Sequence, residues 1–295
     1  MNDALTLFQE MSASPDLFRE CIDYTSRQTG FRRELVEKDF YCSVFLNHFS
    51  SQFPPSVVFK GGTCLSKVYT DFYRLSEDLD FAIPLPQDAR RSVRRKQIDP
   101  LKTVCGSLTK KIPGILALEP LSGANVSTQY LGTWGYRSVI SGGVERVKVE
   151  FGLREPGLLP AEDRNANTLL QNAVTGVDLV NTFRIKVMAM PEIWAEKARA
   201  ALTRLDPAIR DFFDLDYVIQ REKLDPLEPQ FLELVRRKLA VPGNEPMDIS
   251  DAKCRELEKQ VEAQLRPVLR ENDFRQFFLE RVFSIVRQIG NAIRE

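Results

Sequence analysis

The stretch from Ser56 to Phe81 constrains the fold more than any other. Ser56-Val57-Val58-Phe59 is a short apolar strand running into Lys60-Gly61-Gly62-Thr63, and residues 63 to 73 then place Leu65, Val68, Tyr69 and Phe72 at helical spacing. Pro54-Pro55 ends the segment before it, and Leu79 to Pro84 supplies the next strand. The pattern is strand, tight turn, helix, strand. Its two glycines stand where backbone without side chains can approach another group closely. A phosphate is one such group, because a helix N-terminus adds amide donors and a favourable dipole; an ordinary turn is the other reading. The segment has neither the GxxxxGK(S/T) of a P-loop nor the GxGxxG of a dinucleotide-binding unit.

Asp78 and Asp80 stand two apart at the start of the second strand, so a period of two points both carboxylates to one face. Two such groups repel and are costly to desolvate, and a Mg²⁺ or Mn²⁺ ion between them resolves both difficulties. Val147-Lys148-Val149-Glu150-Phe151 offers a third acid, Glu150, as a polar intrusion into an apolar strand. Asp78, Asp80 and Glu150 are therefore the candidate metal ligands. The competing reading has the two aspartates capping a strand and Glu150 pairing with Lys148 or Arg146 on an exposed face.

Composition removes most other chemistry. The only histidine, His48, lies in the amphipathic run Tyr41 to Phe49 and reads as packing or surface. Ser-His-Asp triads, Cys-His dyads and His-based zinc sites are thereby excluded, leaving carboxylates and lysines to carry any reaction. The five cysteines are scattered without a CxxC pair, which fits a reducing cytoplasm better than a disulfide framework. No window approaches eighteen uninterrupted apolar residues, and Met1 to Glu10 is amphipathic rather than signal-like, so no membrane association is expected.

Helices are expected from Leu5 to about Phe18, from Arg32 to about Phe49 and over 89 to 112. Strands are expected near 128 to 140 and 145 to 153, joined as an antiparallel hairpin at Gly142-Gly143, which makes the sheet mixed. Residues 154 to 176, rich in polar residues, Pro and Gly, read as a loop or mobile connection. Helical spacing dominates from Pro191, with amphipathic runs near Phe231 to Leu239 and Phe277 to Ile293. The expectation is an α+β chain: a mixed-sheet core with N-terminal helices over residues 1–185 and a helical domain over 186–295. Formal net charge is zero, but residues 89 to 111 hold eight basic side chains, among them Arg90, Arg91, Arg94 and Arg95, against Asp99 alone. That face could follow an RNA backbone or be an ordinary solvated helix surface.

Gly61-Gly62-Thr63, Asp78-Leu79-Asp80 and Glu150 together resemble the polymerase-beta-like nucleotidyltransferase superfamily. More narrowly, Phe59 to Lys67 and Arg74 to Phe81 look like the AbiEii/AbiGii toxin family. Val36-Glu37-Lys38-Asp39-Phe40, Glu196-Lys197 and Arg210 to Leu215 agree with it. The resemblance covers roughly residues 36 to 220. It implies a nucleotidyltransferase core, an NTP substrate with Mg²⁺ or Mn²⁺, and a helical domain that completes the active site. It ties activity to Ser76, Asp78, Lys197, Asp211 and Asp214, beside the second acid Asp80. Lys60, Gly61, Gly62, Thr63 and Lys67 are the nucleotide-binding candidates. It also implies a tRNA 3′ end as acceptor, a cognate antitoxin, and growth arrest or phage defence as the outcome.

One departure is visible: fourteen residues separate Thr63 from Asp78, more than in many superfamily members, and a longer helix after the turn would account for it. In physical terms Lys197 is a point charge for a phosphate, while Asp211 and Asp214, at i,i+3, share a helix face and can position that lysine or an acceptor hydroxyl. A surface ion-pair network is the other reading. Two functional alternatives also stand: a nucleotide-binding regulatory module without transfer, or transfer to protein or small-molecule hydroxyls.

Overall fold

The computed structural model describes residue 11 and residues 13–294, so the start of the helix expected from Leu5 lies outside the described residues. The chain forms two compact units. Residues up to Gly157 together with Ala161–Met188 make the first; Leu158–Pro160 with the residues from Ala189 onward make the second.

The first unit opens with α1 (Pro15–Thr29), which has Pro in its first turn and ends at Gly30 in the left-handed conformation, φ 77°, whose N–H donates to Ser26 O. The next helix, α2 (Arg33–Gln52), is buried nearly all round, from Leu35 and Val36 through Phe40, Phe45 and Phe49. A helix with so little solvated face belongs in a core. It packs against three strands of a seven-stranded sheet: β2 (Asp78–Ala82), β5 (Val144–Gly152) and β7 (Phe183–Val187).

The remaining strands are β1 (Val58–Lys60), β3 (Ile115–Ala124), β4 (Gln129–Arg137) and β6 (Glu162–Ala166), giving the spatial order β3-β4-β5-β2-β1-β7-β6. β2 runs parallel to β5 and antiparallel to β1, and β4 and β5 form the antiparallel hairpin expected at Gly142-Gly143. The sheet is mixed, as expected. On its helix-covered face Phe81 has ring contacts with Phe49, Phe53, Phe59 and Phe151 at centroid separations of 5.2–6.0 Å. Full burial of each such ring contributes roughly 1.5–3 kcal/mol. That cluster pins the register of β2. With Leu79 and Phe81 facing inward, Asp78 and Asp80 must face the other way. The basic helix α4 (Arg91–Lys111) buries Ile98, Leu101, Cys105 and Leu108 and packs against β3 and α2.

Three local expectations need correction. The helix after the glycine turn does not run to residue 73. It is one turn, α3 (Gly61–Cys64), continued by a π-helical turn over Leu65–Tyr69, and then a loop with Asp71 and Phe72 in the left-handed region. The long spacing to Asp78 is therefore loop, not helix. Residues 154 to 176 contain β6, which has only Ala166 fully buried and owes its strand form to pairing with β7. β3 and β7 were not expected as strands at all.

The second unit is helical: α5 (Met190–Thr203), α6 (Ile209–Arg221), α7 (Pro229–Leu239), α8 (Asp251–Gln260), α9 (Glu271–Gln276) and α10 (Leu279–Arg294). α7 and α10 occupy the two amphipathic runs expected there. α5 packs against α6 and α7, with Trp194 among its buried residues. Lys238 of α7 is fully buried against Glu192, at 2.7 Å, and Glu196, at 3.1 Å, both from α5. Glu192 also accepts the N–H groups of Leu158 and Leu159. This buried charge cluster gave no signal in the sequence, because its members are far apart in the chain.

Candidate active site

The site in the first unit is built where the glycine turn meets β2. Gly61 has φ 79°, and a Cβ there would collide with Asp80 Oδ2. A Cβ on Gly62 would strike the Arg74 guanidinium and lie 3.0 Å from Ser76 Oγ. Thr63 Oγ1 donates to Asp78 O at 2.6 Å. Each of the three turn residues thus touches the Ser76-to-Asp80 segment, and two of the three contacts are possible only without a side chain. Lys60 stands opposite Asp80 in the antiparallel register.

Across β2, the parallel register sets Asp80 opposite Glu150 and Asp78 opposite Lys148, so all four side chains share the face that α2 does not cover. Glu150 is at present engaged sideways: it accepts from Gln129 Nε2 at 2.6 Å and pairs with Lys148 at 3.2 Å. The pairing with Lys148 is the alternative allowed by the sequence. Burial pulls Lys148 down, but Glu150, then Asp78 and Asp80, outweigh it and hold the ammonium above the ordinary lysine range. Among the described residues no three Asp, Glu, His or Cys side chains are gathered closely enough to enclose a metal as they stand.

Lys67 is a correction. Its side chain is fully buried, 2.7 Å from Asp39 and 2.8 Å from Ser43 Oγ, and cannot reach a nucleotide on the surface. Arg74 is likewise buried, beneath Gly62, with Nη1 donating to Leu75 O. His48, half-buried beside Phe49, is held below the ordinary histidine value by burial and by the charge of Lys111, in keeping with a packing role.

The second unit brings together Lys197, Asp211 and Asp214. Lys197 Nζ lies 2.8 Å from Asp211 Oδ1 and 2.8 Å from Asp214 Oδ2, and Arg204 is 3.0 Å from Asp211 Oδ2. Both aspartates are buried, so this is not a surface network. Burial alone would raise the Asp211 carboxyl, but Lys197 and Arg204 overcome it and hold it below the usual carboxylate range. The i,i+3 spacing on α6 lets one ammonium bridge both acids.

Gln129 and Lys148 were missed as site residues. Lys148 carried a signal, since it alternates with Glu150 within an apolar strand; Gln129 carried none, because only strand pairing brings it to Glu150. At the start of α4 the side chains of Arg90, the residue before the helix, and of Arg91, Arg95 and Lys96 are exposed, and Arg91 Nε donates to Ser127 Oγ.

The sequence profile described as Nucleotidyl transferase AbiEii toxin, Type IV TA system, matches residues 44–281. No curated protein matches the chain in sequence. In three dimensions the chain resembles JHP933 from Helicobacter pylori, with a TM-score of 0.50 at 13% identity over 90% of this chain and 95% of that one. It also resembles a second H. pylori protein, provisionally described as a nucleotidyltransferase, with a TM-score of 0.50 at 14% identity over 90% and 98%. At such identity the likeness speaks to the fold alone.

Proposed function

Because the chain belongs to the AbiEii family of nucleotidyl transferase toxins of type IV toxin–antitoxin systems, we propose that the turn at Gly61-Gly62 and the carboxylates of Asp78 and Asp80 carry a divalent-metal-dependent transfer of a nucleotide from an NTP to an RNA hydroxyl. The observation that carries this reading is the contact of all three turn residues with the Ser76-to-Asp80 segment. It sets side-chain-free backbone beside two carboxylates on one sheet face.

The donors fit a hard cation. Asp78 and Asp80 offer only oxygen and Glu150 stands in register with Asp80, a set suited to Mg²⁺ or Mn²⁺. Such an ion, when bound, would neutralise phosphate charge and polarise the reacting phosphoryl group. In this reading the backbone of Gly61 and Gly62 and the ammonium of Lys60 receive the triphosphate, and Ser76 contributes a hydroxyl beside the turn. An acceptor oxygen attacks the α-phosphorus, the bond to the β-phosphate oxygen breaks, pyrophosphate leaves, and the hydroxyl proton passes to Glu150 or to solvent. Within the second unit, Asp211 and Asp214 hold the ammonium of Lys197 as a fixed positive charge.

For the acceptor we favour the 3′ end of a tRNA, the acceptor that the motif resemblance implies, and the exposed basic side chains at the start of α4 are suited to a phosphate backbone. The family also implies an antitoxin partner. The reaction belongs in the cytoplasm, where NTPs and tRNA are found, and no helix among the described residues is long and apolar enough to cross a membrane. Incubation with each α-labelled NTP, Mg²⁺ and total RNA tests the reading. A labelled tRNA-sized band that disappears with Asp78→Ala is expected; label transfer by the Asp78→Ala protein would sink it.

One observation favours a second reading, nucleotide binding without transfer: Glu150 is engaged with Gln129 and Lys148 rather than turned to the aspartates. Pyrophosphate release separates the two, since binding alone releases none.

A further inference from the structure

Three consecutive residues of α2 hold three different parts of the first unit. Glu37 accepts from Ser138 Oγ at 2.6 Å and from Val139 N at 2.7 Å, gripping the end of the β4–β5 hairpin. Lys38 lies 3.5 Å from Glu77, the residue before Asp78. Asp39 takes Lys67 at 2.7 Å in a fully buried pair, with Ser43 one turn on completing the ammonium's contacts. Lys67, in the π-helical turn, and Glu77, just before β2, stand on either side of the loop that joins the two. Its residues Asp71 and Phe72 are left-handed, a conformation that non-glycine residues hold only under external constraint.

Lys67 sits mid-way along the π-helical turn, a form whose weaker hydrogen bonding rarely sustains it unaided. The Lys67 ammonium is 5.2 Å from the Phe72 ring centroid, and the Lys67 carbonyl accepts from Asn167 N at 2.8 Å. The side chain therefore ties the turn to α2 and to the loop at once. A buried ion pair contributes little net stability but can select one geometry.

We infer that Lys38 and Asp39, with Lys67, form a clamp that sets the separation between the Gly61-Gly62 turn and Asp78/Asp80. They are positioning residues, not catalytic ones. The clamp accommodates the long connection between Thr63 and Asp78: each end is tied to an adjacent residue of one rigid core helix. Its consequence for nucleotide affinity rests on the reading of the turn given above.

The test is Asp39→Leu/Lys67→Met, which replaces the pair by apolar groups and should keep the melting temperature within a few degrees. Amide exchange over residues 62 to 70 should accelerate at least tenfold. KM for NTP in the presence of Mg²⁺ should rise about tenfold with kcat within threefold. Lys67→Arg, which keeps the charge, should return exchange to within threefold of the wild-type rate. Should the double variant not fold, Lys38→Met carries the same test at the other end, with faster exchange expected over residues 75 to 78. Unchanged exchange in a folded variant overturns the clamp, whatever the NTP titration shows. Faster exchange with unaltered KM supports the clamp and tells instead against the nucleotide reading of the turn.

Discussion

Gly61→Ala tests the turn directly, and its effect can be divided in advance. Gly61 has φ 79°, so an alanine there bears the left-handed penalty of roughly 1–2 kcal/mol. Gly114 has nearly the same φ, 81°, but a Cβ there would meet nothing within 4 Å, so Gly114→Ala carries that penalty alone. At Gly61 the new methyl also collides with Asp80 Oδ2, and overpacking of that kind adds roughly 1–3 kcal/mol. For a unit of this size each kcal/mol lowers the melting temperature by about 2–4 °C. Gly61→Ala should therefore melt visibly below Gly114→Ala. Activity should separate the two more widely. A group misplaced by about 1 Å at a reaction centre can cost on the order of a hundredfold in rate, so transfer from α-labelled NTP should fall by that order in Gly61→Ala and stay near wild type in Gly114→Ala. If the two variants melt together and both keep transfer within about threefold, the close approach of the turn to Asp80 is not part of the catalytic arrangement.

Other outcomes follow from buried charge and buried sulfur. Asp211 has its folded pKa below the unfolded value of about 3.9, so its contribution is complete above that pH and is lost as pH falls through the folded value. Asp211→Asn should flatten the acid limb of the stability curve below about pH 4, and identical limbs in urea titrations would refute this. Lys238→Met strands Glu192 and Glu196 in the interior and should cost about 3–5 kcal/mol by chemical denaturation; a loss under 1 kcal/mol would mean the cluster is not held as described. Of the five thiols, Cys21, Cys42, Cys64 and Cys105 are buried, and burial pushes Cys42 and Cys105 up to about 12. Ellman's reagent at pH 8 should therefore titrate one thiol, Cys254, in native protein and five after unfolding.

The opening segment could be read before folding because its information is local. A short apolar strand ending in Gly-Gly needs no partner to be recognised, and the period of two along the next strand dictates that Asp78 and Asp80 share a face. The hairpin at Gly142-Gly143, the helical span of α2 and the amphipathic helices α7 and α10 were legible for the same reason, whereas the burial of α2 nearly all round replaces the amphipathic face its sequence suggested. The lysine bridging Asp211 and Asp214 was half legible: i,i+3 spacing put the acids together, but their burial came from packing within the second unit.

Pairing between distant segments was decided only in three dimensions. β3 alternates weakly and β6 is almost entirely polar, so neither carries a strand signal without the neighbour that satisfies its backbone. Glu150 reaches the row opposite Asp80 because β5 lies parallel beside β2, a choice of strand order that no spacing in the sequence encodes. Lys67 shows the difference most plainly. Its spacing after the glycine turn suggested a surface ammonium on a helix, yet the π-helical turn and Asp39, twenty-eight positions earlier, draw it wholly inside. The residue types specified that a cation lies near the turn; the packing of α2 against the sheet determined which way it points.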